Sequence, residues 1–202
     1  MSSKDHSLDS GIAQAAYKEF LTCGFQKASL HKIAEKVGVT TGAIYTRYQN
    51  KDALFVSLLQ DFFKTMEEIF SPAEQEYERA RKSARAEDII RAIHVEEGIY
   101  FRLLTEHYDD CTLFFSRSDG SSVERMLKEL MERKTKQTID FFTEVYGKAP
   151  NGDAIRLLMG SQFWYFRQLL DEHFEENQMS ACLRSILDFF NAGWRQLCDT
   201  LK

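Results

Sequence analysis

The sequence predicts an all-α protein with a small N-terminal helical domain and a larger helical bundle behind it. Three observations predict this. Proline occurs only twice in 202 residues, at Pro72 and Pro150, and glycine ten times, so long stretches run without a breaker and an all-β chain full of tight turns is excluded. Apolar residues recur at three- and four-residue spacing through most of the chain, the period of one helix face. With 44% hydrophobic and 28% charged residues, the chain can bury a real core, which excludes disorder.

The first helix follows from Ile12, Ala16 and Phe20, with Ala13 and Leu21 beside them, and it ends where Gly24 can supply a left-handed cap before Phe25. Ser29 then offers an N-cap to a short helix carrying Leu30, Ile33, Ala34 and Val37, stopped by Gly38. Thr40 caps a second short helix with Ile44 and Tyr48 turned inward. Asn50 caps a longer one expected to run through Leu54, Leu58 and Phe62 toward Pro72. Residues 71–88 are dominated by charge and lack an apolar stripe. They are expected to form a solvated helix end or a loop, with no part of the core. Beyond them the spacing predicts helices over about 87–107, 123–146, 153–176 and 180–201, with a segment that is helical and then loops at Asp119-Gly120. The short link at 177–179 makes the last two antiparallel neighbours. The domain division expected is 8–51 and 52–202.

Charge is uneven along the chain. The net charge is −5, which argues against a protein that coats nucleic acid over its whole surface. Residues 1–51, however, hold seven Lys/Arg against four Asp/Glu, a balance of +3, and residues 52–202 hold 19 against 27, a balance of −8. The four cysteines form no C-x-x-C pair, so neither a disulfide framework nor a zinc site is expected. No apolar run is long enough for a signal peptide or a membrane span, which gives the expectation of a cytoplasmic protein without membrane partners.

In SLHKIAEKVGVTTGAIYTRYQNK, Ala34 is followed four residues on by Gly38 and ten residues on by Ile44. This is helix-turn-helix spacing: a small residue lets two helices approach, a glycine makes the turn, and an apolar residue locks the second helix onto the first. The plainer alternative is an αα-corner of some other helical protein. The exposed residues favour the former. Thr40, Thr41, Gly42 and Ala43 at the start of the third helix are small enough to press into a major groove, and Tyr45, Thr46 and Arg47 follow. Ser29 and Lys51 lie at helix N-termini, where free N–H groups and the positive dipole end favour a phosphate. Ser29 and Asn50 as caps alone, and Lys51 as a solvated lysine, are the bland readings beside it.

Residues 10–62 resemble the TetR family of bacterial transcriptional regulators, through the Gly-Phe after the first helix, the Ala-x-x-x-Gly-Val turn, the Gly-x-Ile-Tyr of the recognition helix and the Lys-x-x-Leu-Phe opening of the fourth. Two positions depart from the pattern: Arg47 stands where the family often has His, and Tyr48 replaces the usual Phe. The resemblance implies an N-terminal three-helix domain with a helix-turn-helix, followed by a helical domain for dimerisation and ligand binding. It implies base-edge contacts from Thr40, Thr41 and Gly42, phosphate contacts from Tyr45 and Lys51, and a backbone contact from Ser29, with Arg47 and Tyr48 counted in the same surface. The partners expected are a palindromic double-stranded operator, a second copy of the chain as a homodimer, and an unidentified small-molecule effector. No cofactor is expected.

In the last two helices the stripes Ile155, Leu158, Gln162, Phe166, Leu169 and Leu183, Ile186, Phe190, Trp194, Leu197 each form a core face. Met159, Phe163, Trp164, Tyr165, Cys182, Phe189 and Gly193 widen both stripes beyond what one neighbour covers. A dimeric four-helix bundle would cover the rest, with Phe166, Ile186, Phe190 and Trp194 expected at the interface; a larger monomeric core is the alternative. Glu96 and Glu97 fall near the middle of the apolar stripe of the 87–107 helix. Either an Arg from a neighbouring helix or partial exposure satisfies them, or Glu97 belongs to a pocket for a cationic ligand, lined by Phe101, Phe115, Phe142 and Phe163.

Two rival classes remain: an all-helical ligand-binding or enzyme-like bundle, and a protein-interaction module whose helix-turn-helix does not bind DNA. The chain has no H-E-x-x-H, G-x-S-x-G, P-loop or G-x-G-x-x-G motif, and no His stands three residues after a Glu as a di-iron bundle needs. The expectation is therefore a non-enzymatic, sequence-specific DNA-binding regulator, a repressor released from its operator by a ligand.

Overall fold

The structure, a computed structural model, describes residues 3–172 and 174–201. Among these it contains ten α-helices and one π-helical segment, without strands. No helix among the described residues is long and apolar enough to cross a membrane. The helices are α1 (Ser3–Lys27), α2 (Leu30–Val37), α3 (Thr41–Tyr45), α4 (Lys51–Leu58), α5 (Gln60–Ser83), α6 (Ala86–Glu106), α7 (Tyr108–Cys111), α8 (Ser122–Tyr146), α9 (Gly152–Asp171) and α10 (Glu176–Leu201), with the π-helical segment at Thr112–Ser116. They form two compact units, residues 1–64 with 109–127, and residues 65–108 with 128–202.

The first unit extends well beyond the expected break at residue 51. Helix α4 belongs to it because Leu54, Phe55 and Leu59 are fully buried, and the Phe55 ring meets Phe20 edge-on at 4.9 Å. Each such side chain withdrawn from water contributes roughly 1.5–3 kcal/mol. The return of 109–127 has a different cause. Here Tyr17 Oη donates to Asp110 Oδ1 (2.7 Å), the Phe25 amide to Arg117 O (2.7 Å), Arg117 Nε to Leu21 O (3.2 Å) and the Ser122 amide to Asp52 Oδ1 (2.7 Å). These partners lie 70 to 96 residues apart in sequence, beyond the reach of any local signal.

Two expectations about helix extent change. The single helix predicted from Asn50 is interrupted at Leu59 (φ −99°, ψ 1°), whose amide turns back to Val56 O, so α4 and α5 are separate helices. Helix α5 then passes through Pro72 to Ser83, across residues expected to be a solvated end or loop. Ala73 and Ala80 are buried and Tyr77 packs against the second unit's core, a stripe at helical spacing made mostly of alanines.

The second unit is centred on Ala80, Ile89, Phe141, Phe142, Ile155, Met159, Phe190, Trp194, Cys198 and Leu201. Helix α9 ends at Asp171 and α10 begins at Glu176, so the break falls earlier than the link expected at 177–179. All four cysteines are free thiols.

Candidate nucleic-acid interface

The turn between α2 and α3 is built from local chemistry. Ser29, in extended conformation, caps α2 by accepting the Lys32 amide on its Oγ (3.4 Å). Gly38 closes α2 in the left-handed region (φ 74°, ψ 32°), its amide reaching the Ala34 and Glu35 carbonyls, a conformation that costs a residue with a Cβ about 1–2 kcal/mol. Thr40 caps α3 by accepting the Ala43 amide on Oγ1 (3.2 Å). Ile33, Ala34 and Ile44 are buried beneath, so the expected small-glycine-apolar triple is in place.

What this leaves outside is the candidate reading surface. Thr40 and Gly42 are exposed, Thr41 is half-buried, and Tyr45 is 53% exposed. Thr46 Oγ1 donates back to Gly42 O (2.9 Å), which spends its hydroxyl proton inside the helix. Tyr48 is half-buried. Two of the expected cations are held by the protein itself. Lys51 Nζ donates to Gln26 O and Ala28 O, both at 3.1 Å, and lies over the Phe25 ring at 4.7 Å. Burial holds its pKa below that of a free lysine. An ammonium has three donors, so one remains for an outside acceptor. Arg47 Nε donates to the Asp9 carboxylate and Arg47 Nη1 to Ala43 O (3.2 Å), so its guanidinium is turned back toward α1.

One residue of the scaffold was missed by sequence reasoning. Glu19 is only 4% exposed; its Oε1 accepts the Ser29 amide (3.3 Å) and its Oε2 the Lys36 ammonium (3.3 Å). Burial raises its pKa, but the Ser29 amide and the Lys36 charge outweigh burial and hold the carboxyl below its ordinary value. A buried glutamate in α1 thereby fixes both ends of α2. The one signal available was an acid four residues from Ala15 and Cys23 on an otherwise apolar side of the helix, too weak to single out.

The expected ligand-binding residues are carried by α6, α8, α9 and the π-helical segment. Glu97 is half-buried on α6, hydrogen-bonded to Asn191 of α10 with Asp188 and Arg195 beside it; burial first, then Asp188 and Glu96, push its carboxyl up to about 7. Phe101 is half-buried beneath Arg184, whose guanidinium lies 5.9 Å from the ring centre. Phe142 is a core residue stacked on Trp194 and Tyr146, with centroids 6.1 Å apart in both pairs. Phe163 is half-buried on α9. Phe115 lies in the first unit, packed on Phe114 with ring centroids 4.8 Å apart. Glu96 is satisfied internally by the Tyr77 hydroxyl (2.6 Å), the Tyr100 hydroxyl (3.0 Å) and Lys134 (3.7 Å), so a lysine and two phenols fill the role given to an arginine or to partial exposure.

The expected interface residues are likewise placed inside one chain. Phe166 (8% exposed), Phe190 (7%) and Trp194 (9%) are buried, and Ile186 packs against the same core. The physical reason is helix phase: their neighbours take the outer positions. Leu157 (64% exposed), Leu158 (42%), Trp164 (56%) and Phe189 (74%) are large apolar side chains left in water on α9 and α10, so Leu158 faces outward and not into the core face expected of it. Trp164 and Phe189 are linked through the intervening rings, Trp164 to Tyr165 at 5.4 Å, Tyr165 to Phe190 at 5.7 Å and Phe190 to Phe189 at 6.0 Å.

A capped two-helix corner with a glycine turn, a buried locking residue and an outward face of small hydroxyls, glycine and an exposed tyrosine defines a helix-turn-helix regulator of transcription. Residues 12–58 match the family model described as bacterial regulatory proteins, tetR family. The chain is 25% identical over 147 residues to the HTH-type transcriptional regulator YdgC of Bacillus subtilis, a match spanning 70% of this chain and 72% of that one. It is 37% identical over 67 residues to the HTH-type transcriptional regulator TtgR of Pseudomonas putida, about a third of either chain at 33% and 32%. Among solved structures, a TetR-like transcriptional regulator from Rhodococcus sp. RHA1 superposes with a TM-score of 0.58 at 18% identity, over 92% of this chain and 96% of that one, which shows a shared fold. These similarities support a TetR-family transcriptional regulator, with residues 12–58 as the part that the family model matches.

Proposed function

We propose that this regulator is a homodimeric repressor that occupies a palindromic operator and leaves it when a small molecule binds the second unit. The observation that carries the reading is the outer face of α3 and its cap, where Thr40, Gly42 and Tyr45 are exposed and Thr41 is half-buried, on a helix locked from beneath by the buried Ile44. Thr41 and Gly42 are assigned to base edges, with Thr40 beside them; Tyr45, Tyr48, the third donor of Lys51 and the N-terminus of α2 at Ser29 are assigned to phosphates. A recognition helix of one turn and a half reads only a few base pairs, so a second copy is needed to make a specific site. The apolar Leu157, Trp164 and Phe189 supply the surface for that second copy. Repression follows from occlusion, since a dimer spanning two groove segments about 34–36 Å apart covers the duplex between them.

For the effector, the half-buried Glu97, four residues before Phe101 on α6, is the group that favours a cationic or hydrogen-bond-donating ligand, because a carboxyl pushed up to about 7 gains from an added positive charge. Both α5 and α8 contribute residues to each of the two units, so a change in the second unit is covalently carried into the first by two helices. Selection of purified protein on random duplex DNA tests the reading. An enriched inverted repeat supports it; recovery of sequences indistinguishable from the input contradicts it.

A further inference from the structure

Between Gly38 and Asn50, the stretch that carries α3, there is one cation, Arg47. An arginine at the edge of a DNA-reading helix is an obvious phosphate anchor, yet its Nε is bound to the Asp9 carboxylate of α1 and its Nη1 to Ala43 O. Side-chain exposure is 21% for Arg47 and 37% for Asp9, so the pair sits at the rim of the domain, within reach of solvent and of an approaching polyanion. A phosphate contact adds affinity for any sequence and releases counterions, whereas base-edge contacts add affinity for one sequence. A regulator must find its site among a great excess of other sequences, so the ratio of the two affinities decides occupancy.

We propose that Asp9 is a specificity-determining residue: by pairing with Arg47 it withholds the only cation of the α3 segment from DNA phosphates, so that this segment binds through the uncharged groups of Thr40, Thr41, Gly42 and Tyr45. Asp9 acts through Arg47 and is a positioning residue; it makes no DNA contact itself. The inference rests on the DNA-binding reading above and adds to it a residue that limits sequence-blind affinity.

The test is a double-mutant cycle of Asp9→Asn, Arg47→Gln and the pair, with each protein titrated by fluorescence anisotropy against a random-sequence duplex and against the selected operator at several salt concentrations. Asp9→Asn is expected to tighten random-duplex binding several-fold and steepen the dependence of log K on log salt by about one unit, the loss of one further counterion, so that the operator-to-random ratio falls. Arg47→Gln alone is expected to leave both near wild type, and the double variant to match Arg47→Gln. Asp9→Ser, which lacks the amide oxygen that Asn offers Arg47, should behave as Asp9→Asn and serves in its place if thermal melts show that variant unfolded. The proposal is overturned if Arg47→Gln alone makes the slope shallower by about one unit, because Arg47 would then already contact phosphate. It is overturned equally if Asp9→Asn has the same effect in the Arg47→Gln background, because Asp9 would then act by its own charge. A wild-type protein that binds no duplex overturns the DNA-binding reading and this role with it, and the wild-type titration alone shows that result.

Discussion

Glu19 shows how a single buried side chain sets the geometry beneath the candidate reading surface. Its carboxylate holds the Ser29 amide at the start of α2 and Lys36 near its end, and its pKa is depressed despite burial. A depressed carboxyl stabilises the fold above the ordinary value of 4.5 and loses that contribution as pH falls through the folded value. Glu19→Gln keeps an oxygen for the Ser29 amide but loses the ion pair, and is expected to cost about 1–2 kcal/mol at pH 7. In urea melts from pH 7 to pH 3 the gap between variant and wild type should close at the acid end; a gap independent of pH would contradict the role. Glu97 has the opposite sign. Its carboxyl is raised to about 7, so it costs stability as pH rises from 4.5 through 7, and Glu97→Gln is expected to raise the melting temperature at pH 8 while leaving it unchanged at pH 4. If Glu97 also holds the ligand, the same variant keeps its DNA affinity without ligand and loses its response to a cationic inducer. Loss of folding or of DNA affinity without ligand would make the carboxylate a structural partner of α10 instead.

At the scale of the element, local chemistry was legible and tertiary phase was not. The caps at Ser29, Thr40 and Asn50 and the turn at Gly38 stand where the sequence places them, because a cap is a contact within three or four residues. Gly38→Ala is expected to cost about 1–2 kcal/mol through its positive φ alone, since a Cβ there would meet nothing within 4 Å. A chemical melt and a DNA titration on the same sample check it; unchanged stability would mean the turn relaxes at no cost. Helix α5 was illegible beyond residue 70 because Ala73 and Ala80 carry its buried stripe and alanine is silent in a count of large apolar residues, while Pro72 suggests an end. The proline is exposed inside the helix, where it removes a backbone donor. Pro72→Ala is expected to stabilise the protein by about 1–3 kcal/mol, read as a higher denaturation midpoint. On α9 and α10, adjacent aromatics such as Phe189 and Phe190 lie on opposite sides of the buried boundary, a distinction that one residue of helix phase decides and that composition cannot.

For the whole molecule, the DNA-reading unit is a mosaic: its helix-turn-helix comes from the first 64 residues, and its base includes residues 109–127, returned through Asp110, Arg117 and Ser122. Because Phe190 and Trp194 are buried while Trp164 and Phe189 are exposed, the proposed dimer is testable without destroying the fold. Trp164→Glu and Phe189→Glu, at positions 56% and 74% exposed, should leave helicity and melting near wild type while splitting the dimer in analytical ultracentrifugation. Trp194→Glu, which forces a charge into the core, should unfold the second unit. A wild-type monomer at micromolar concentration would contradict the dimer. The central claim is that the exposed start of α3 reads base edges, and comparing the sites selected from random duplexes by wild type and by Thr41→Ala tests it most directly. The predicted result is an inverted repeat from both proteins, with the base preference altered at one position in each half-site. An unchanged preference with uniformly weaker binding, or no enriched site from the wild type, would contradict it.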